Sequence, residues 1–188
     1  MLKESALKKG EWNHLQKIES IHPTILIVGL GNPILGDDGV GWHVAKQVEH
    51  QLDRPRNLDS DNTTHSSQRF NIEIDYLSLG GLALMERMIG YKDVYIVDAV
   101  RFGGEIGSVV CLQSSELPYN NISHLSSAHD TTLQNALEVG KSMGAALPDK
   151  ITIIGIEILP TYQFSDQLSK PVSESVPKAV NLIMELIK

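Results

Sequence analysis

A chain of 188 residues, 41% hydrophobic and 21% charged, is long enough for one domain to bury its own core without disulfides or structural metals. A formal charge of −7 and an isoelectric point near 5.4 give no basic footprint for a polyanion, which argues against nucleic acid as a partner. One cysteine (Cys111, read as a half-buried structural thiol), apolar runs too short for a bilayer and mixed charges over Met1–Ser5 together point to a cytoplasmic protein with no membrane partner.

Residues 1–22 mix Lys, Glu, Asn and His with scattered Leu and Ile and read as an N-terminal extension; residues 23–188 read as a single domain. Thr24–Leu30 is expected to be a strand apolar on both faces, turning out through Gly29-Leu30-Gly31-Asn32-Pro33. A helix is expected from near Gly39, with Gly41, Val44, Ala45, Val48 and Leu52 on one stripe. Residues 53–69 are polar and lack periodicity, as in a solvated loop. Phe70–Leu77 alternates as a strand, and Gly81–Ile89 carries a helical stripe. Val94–Val97 reads as a buried strand ending on Asp98. The short Gly103-Gly104 turn then leads to a strand over Ile106–Leu112, by antiparallel pairing rather than a crossover. Ser and His crowd residues 123–129, where Ser126 or Ser127 would cap a helix running through Leu133, Ala136, Leu137, Gly140 and Met143. Lys150–Leu159 is the last strand. Val176, Ala179, Val180, Ile183 and Ile187 form a closing helix with Pro177 in its first turn. The alternation predicts a three-layer α/β fold: a mainly parallel, twisted sheet of about five strands with helices on both faces and one strand antiparallel.

In such a sheet the loops leaving the carboxyl ends of the strands converge on one edge, where ligands bind. Asp37 and Asp38 lie after the first strand, Asp98 at the end of the third, and His129 ahead of a helix. Two carboxylates and an imidazole form a mixed oxygen and nitrogen set suited to a borderline ion such as Zn²⁺ or Ni²⁺, and three protein ligands leave coordination positions open for water or a peptide carbonyl. Each residue also has a plainer role: Asp98 as a turn cap, His129 as a hydrogen-bonded histidine, and Asp37 and Asp38 as the acidic first turn of a helix. His124 rivals His129, and Glu157 rivals the carboxylates. Two other chemistries fit worse. The third glycine of a dinucleotide loop would fall on Ile34, and there is no G-x-S-x-G, while Cys111 lies within a strand.

The stretch from Ile27 to Gly41, with Gly29-Leu30-Gly31-Asn32-Pro33 followed by Asp37-Asp38-Gly39-Val40-Gly41, resembles the N-terminal motif of the hydrogenase maturation proteases. The likeness continues through Val94–Ala99, Ser127-Ala128-His129-Asp130 and Ile151–Glu157, and covers roughly residues 24–188. The resemblance implies an endopeptidase, metal-dependent and of aspartic or metallo type, that removes the C-terminal extension of a nickel-loaded nickel–iron hydrogenase large-subunit precursor. It implies metal-binding and catalytic roles for Asp38, Asp98 and His129. It also implies that nickel is presented by the precursor, with Zn²⁺ or Cd²⁺ able to occupy the site in vitro. Asp37 would orient a ligand from behind or accept a proton, and a monomer would leave the docking surface free. Two departures stand out: the loop after the second strand reads Leu77-Ser78-Leu79-Gly80-Gly81-Leu82 where the family often has Asp-Gly-Gly-Thr, and Asp38 stands where some members carry glutamate. Peptidyl-tRNA hydrolases share the Gly-Leu-Gly-Asn-Pro turn, but they continue to a tyrosine and a Thr-Arg-His-Asn segment that is missing here. A nickel-sensing module that binds without cutting is the non-enzymatic alternative.

Overall fold

A computed structural model of the chain describes residues 24–53, 72–117, 132–159 and 164–188. The expected N-terminal extension, most of the 53–69 loop, and the Ser- and His-rich segment with His124 and His129 lie outside the described residues.

Five strands, β1 (Ile25–Leu30), β2 (Ile72–Leu77), β3 (Asp93–Val100), β4 (Val109–Gln113) and β5 (Lys150–Glu157), form one sheet in the order β2-β1-β3-β5-β4. All pairings are parallel except β4 with β5. The interior strands β1, β3 and β5 are covered on both faces, which is why they read as unbroken apolar runs; the edge strands β2 and β4 are only half-buried. Among the described residues four helices complete the layers: α1 (Val40–Leu52), α2 (Gly81–Met88), α3 (Leu133–Ser142) and α4 (Lys170–Leu186).

Strand alternation sorts the core into two halves. Ile25, Ile27, Tyr95, Val97, Ile154 and Ile156 pack against Val44 and Val48 of α1 and Val176 and Val180 of α4. Leu26, Val28, Ile96 and Ile153 face Leu84 and Met88 of α2 and Leu133 and Ala136 of α3. At the β2 edge, Arg87 of α2 pairs with Glu73 and, at 2.5 Å, with Asp75, anchoring the last parallel strand to its helix.

Several expectations are corrected. Asp98 does not end its strand: β3 continues two residues to Val100, because β5 stays in register with it as far as Glu157. β4 is antiparallel as expected, but to β5, which lies between it and β3; the strand starts at Val109 because Gly107 turns the chain with φ +79°. α3 is capped by Thr132, whose hydroxyl accepts from Asn135 N at 3.2 Å, and not by an earlier serine. α4 starts at Lys170, so Pro171 takes the first-turn position and Pro177 lies in the helix interior, where it removes one backbone bond. Cys111 is exposed rather than half-buried, since β4 is an edge strand.

Candidate active site

The chain leaves β1 toward β2 on one side and later places β3 on the other, so the strand order reverses between β1 and β3. Open α/β sheets bind ligands at such a reversal, beyond the carboxyl ends of the strands. The loop after β1 brings its acids to this point through close backbone approaches. A side chain on Gly41, in the first turn of α1, would put its Cβ 2.3 Å from the carbonyl oxygens of both Leu30 and Val97. Only glycine lets the helix sit directly on the β1–β3 seam. Gly31 has φ +124°, and a Cβ there would lie 2.0 Å from the Asp38 carbonyl oxygen. The loop therefore folds back on itself through a backbone conformation that L side chains rarely adopt. Asp38, in the 3₁₀ turn Gly36–Gly39, closes it by accepting from Asn32 N at 2.8 Å on Oδ2.

Asp98 reaches the same place from β3. It is 2% exposed; its Oδ1 accepts from Ala99 N at 2.8 Å, while Oδ2 is buried with no hydrogen-bond partner. Loss of solvent is the main force pushing its carboxyl up to about 8, and the neighbouring Asp38 charge pushes the same way, against the Ala99 N–H. Two carboxylates near enough to repel each other, one with a buried and unpartnered oxygen, form a costly arrangement unless a proton or a cation relieves it. The oxygen donors fit a divalent ion, and an imidazole would complete the mixed set.

The rival acid is engaged elsewhere. Glu157, 3% exposed, accepts from Phe102 N and Gly103 N at 2.9 Å each, so its carboxylate holds the turn that follows β3. Glu157→Gln is expected to cost on the order of 2 kcal/mol, the worth of one charge-assisted bond, while leaving cation affinity within a few-fold; denaturant unfolding and a Zn²⁺ titration check the two halves. Asp37 is also engaged elsewhere, its Oδ1 accepting from Ser169 N at 2.6 Å. Among the described residues no group of three or more His, Cys, Asp or Glu is placed to hold a metal. Of the expected site residues, the described part of the chain thus brings together Asp38 and Asp98. Sequence reasoning missed Ser169, because it acts on Asp37 through a backbone N–H that leaves no mark on residue type.

Residues 74–186 match the family model described as hydrogenase maturation protease. The chain belongs to the hydrogenase maturation protease family. This match begins after the first loop, so the matched stretch and the glycine and aspartate motif around Asp38 are separate parts of the chain. A putative hydrogenase maturation protease of Methanocaldococcus jannaschii is 31% identical over 166 residues, covering 87% of this chain and 93% of that protein. The hydrogenase expression/formation protein HupD of Rhizobium leguminosarum is 24% identical over 168 residues, covering 88% and 75%. The fold is that of the hydrogenase maturating endopeptidase HybD from E. coli, with a TM-score of 0.63 at 22% identity over 87% of this chain and 91% of that one. Members of the family are endopeptidases that cleave the C-terminal extension of the hydrogenase large subunit. The expected five-stranded mixed sheet and the expected family are thereby both met.

Proposed function

We propose that this maturation protease uses Asp38, Asp98 and His129 to hold the nickel that a hydrogenase large-subunit precursor presents, and cleaves the precursor beside it. The observation that carries this reading is the buried, unpartnered Oδ2 of Asp98, whose carboxyl feels the Asp38 charge at the strand-order reversal. Such a pair repels itself when empty and is relieved by a cation. A metal-loaded precursor is then bound in preference to an empty one, so cutting comes after metal insertion. The ion supplies Lewis acidity at the scissile carbonyl. The protein's own part is to fix the two carboxylates, exclude water around Asp98 and leave the strand ends open to the peptide.

Support for His129 comes from the helix just beyond it in the chain. Leu133, at the start of α3, is fully buried in one cluster with Leu30 and Ile96, on the sheet face that strand alternation gives to Asp98. With three peptide links between His129 and Thr132, the imidazole has a reach of about 10 Å from the helix cap. In this reading residues 23–188 work as one domain, and the protein acts as a cytoplasmic monomer. No helix among the described residues is long and apolar enough to cross a membrane. The test is mass spectrometry of nickel-loaded precursor incubated with parent or His129→Ala protein. The parent is expected to shorten the C-terminus and the variant to leave it intact. Normal trimming by the variant removes His129 from the site, and binding without trimming by the parent would favour a nickel-sensing module.

A further inference from the structure

The acid beside Asp38 is turned in a different direction and tied to a distant part of the chain. Asp37 is 5% exposed, and its Oδ1 accepts from the backbone N–H of Ser169, 132 positions later, at 2.6 Å. Ser169 is the N-cap residue of α4, and its own side chain makes no capping bond. Beside this contact, Ser165 N donates to Ile34 O at 3.0 Å and Gly36 N to Ser165 O at 2.7 Å, forming a one-residue parallel bridge between Leu35 and Ser165. A 3₁₀ turn has three residues per turn, so successive side chains project about 120° apart. Asp37 therefore faces α4 while Asp38 faces Asn32 and the β1–β3 seam.

We propose that Asp37 is a positioning residue: its carboxylate tethers the 36–39 turn to the start of α4 and so fixes where the neighbouring Asp38 carboxylate is presented. The proposal rests on the reading of Asp38 as a cation ligand. The tether is favourable for two physical reasons. A carboxylate accepting an N–H at this distance makes a charge-assisted bond, and the N-terminal end of a helix of 17 residues adds a field that favours negative charge. What separates the two acids is where each is held: Asp37 is tied to the start of α4, whereas Asp38 is the neighbouring charge that acts on Asp98. The Asp-Asp pair thus divides its labour, one side chain holding the loop and the next meeting the ion.

The test uses the full-length protein, calorimetric Zn²⁺ titration and precursor cleavage. Asp37→Ala is expected to weaken Zn²⁺ binding by roughly tenfold per folded molecule, the scale of losing a group that orients a ligand, with a matching fall in kcat/KM. Asp37→Asn keeps an acceptor oxygen at the same place and is expected to stay within about threefold of the parent. Ser169 has φ −62°, which proline adopts, so Ser169→Pro deletes the donor N–H and should reproduce the alanine loss; this variant carries the test if Asp37→Ala fails to fold. Unchanged Zn²⁺ affinity in folded Asp37→Ala and Ser169→Pro, with only Tm lowered, would overturn the proposal. Asparagine as weak as alanine would overturn it too. Asp38→Ala separates the two ideas: if it still binds Zn²⁺ at the parent's affinity, the ligand assignment fails, whatever the Asp37 variants do.

Discussion

Asp98→Asn is expected to lose metal-dependent processing by more than about 100-fold, the upper end of what even outer ligand partners cost, and at the same time to make the metal-free protein more stable. The two effects have opposite signs because they share one cause. In the metal-free protein burial and Asp38 hold the Asp98 carboxyl at about 8 against an ordinary value of 3.8, so the folded state keeps a proton that the unfolded chain releases. The stability this gives is complete below pH 3.8, falls as pH rises toward 8, and is gone above it. Asparagine is neutral at every pH and escapes that loss. A tenfold change in proton affinity is worth about 1.4 kcal/mol. Taking half of the resulting limit, the variant gains about 3 kcal/mol above pH 8, or roughly 6–12 °C in Tm for a chain of this size. Below pH 4 the two proteins should melt together. Zn²⁺ at about a hundred times its Kd should return about 2.7 kcal/mol to the parent and nothing to the variant. Thermal melts from pH 4 to 9, with and without Zn²⁺, read all of this. A parent more stable than Asp98→Asn at pH 9 without metal would show that the buried carboxylate is not under strain.

Gly41→Ala is the second large effect, and it runs against local preference. In a helix, alanine is favoured over glycine by about 1 kcal/mol, so α1 taken alone would gain. In the folded protein the new Cβ would lie 2.3 Å from two carbonyl oxygens, Leu30 O and Val97 O, and neither can move away without disturbing the sheet, since Leu30 pairs with Leu77 of β2 and Val97 with Gly29 of β1. Overpacking against backbone is expected to outweigh the helix gain and leave a net loss of about 3 kcal/mol. Lifting α1 off the seam also displaces the Gly36–Gly39 turn that precedes it, so Zn²⁺ affinity should fall together with stability. Gly90→Ala provides the comparison: with φ +89° and open space around its Cβ, it pays only local strain of about 1–2 kcal/mol and should bind Zn²⁺ as the parent does. A Gly41→Ala protein that melts at or above the parent's temperature would contradict the close-packed seam.

The fold was legible where burial alone decides. Interior strands covered on both faces must be apolar throughout, and β1, β3 and β5 announce themselves in that way. Element ends were less legible, because they are set by partners far away in sequence. Asp98 falls inside β3 only because β5 continues alongside it, and Pro177 falls inside α4 only because the helix begins at Lys170. The site was legible as a set of acids at the strand ends, but not in its division of roles. Asp37 and Asp38 are indistinguishable by type and position, and the difference lies in Ser169 N for one and Asn32 N for the other. Glu157 likewise looks like a ligand candidate until the Phe102 and Gly103 N–H groups are seen to occupy its carboxylate.

The central claim is that Asp38 and Asp98, with His129, grip a single divalent ion. The most direct measurement is a crystal of the full-length protein soaked with Zn²⁺ and located by its anomalous signal. The expected ion lies about 2.0–2.2 Å from a carboxylate oxygen of each aspartate and from an imidazole nitrogen of His129, with Asp98 Oδ2 among the ligands. An ion bound elsewhere, or one that leaves Asp98 Oδ2 untouched, would contradict it.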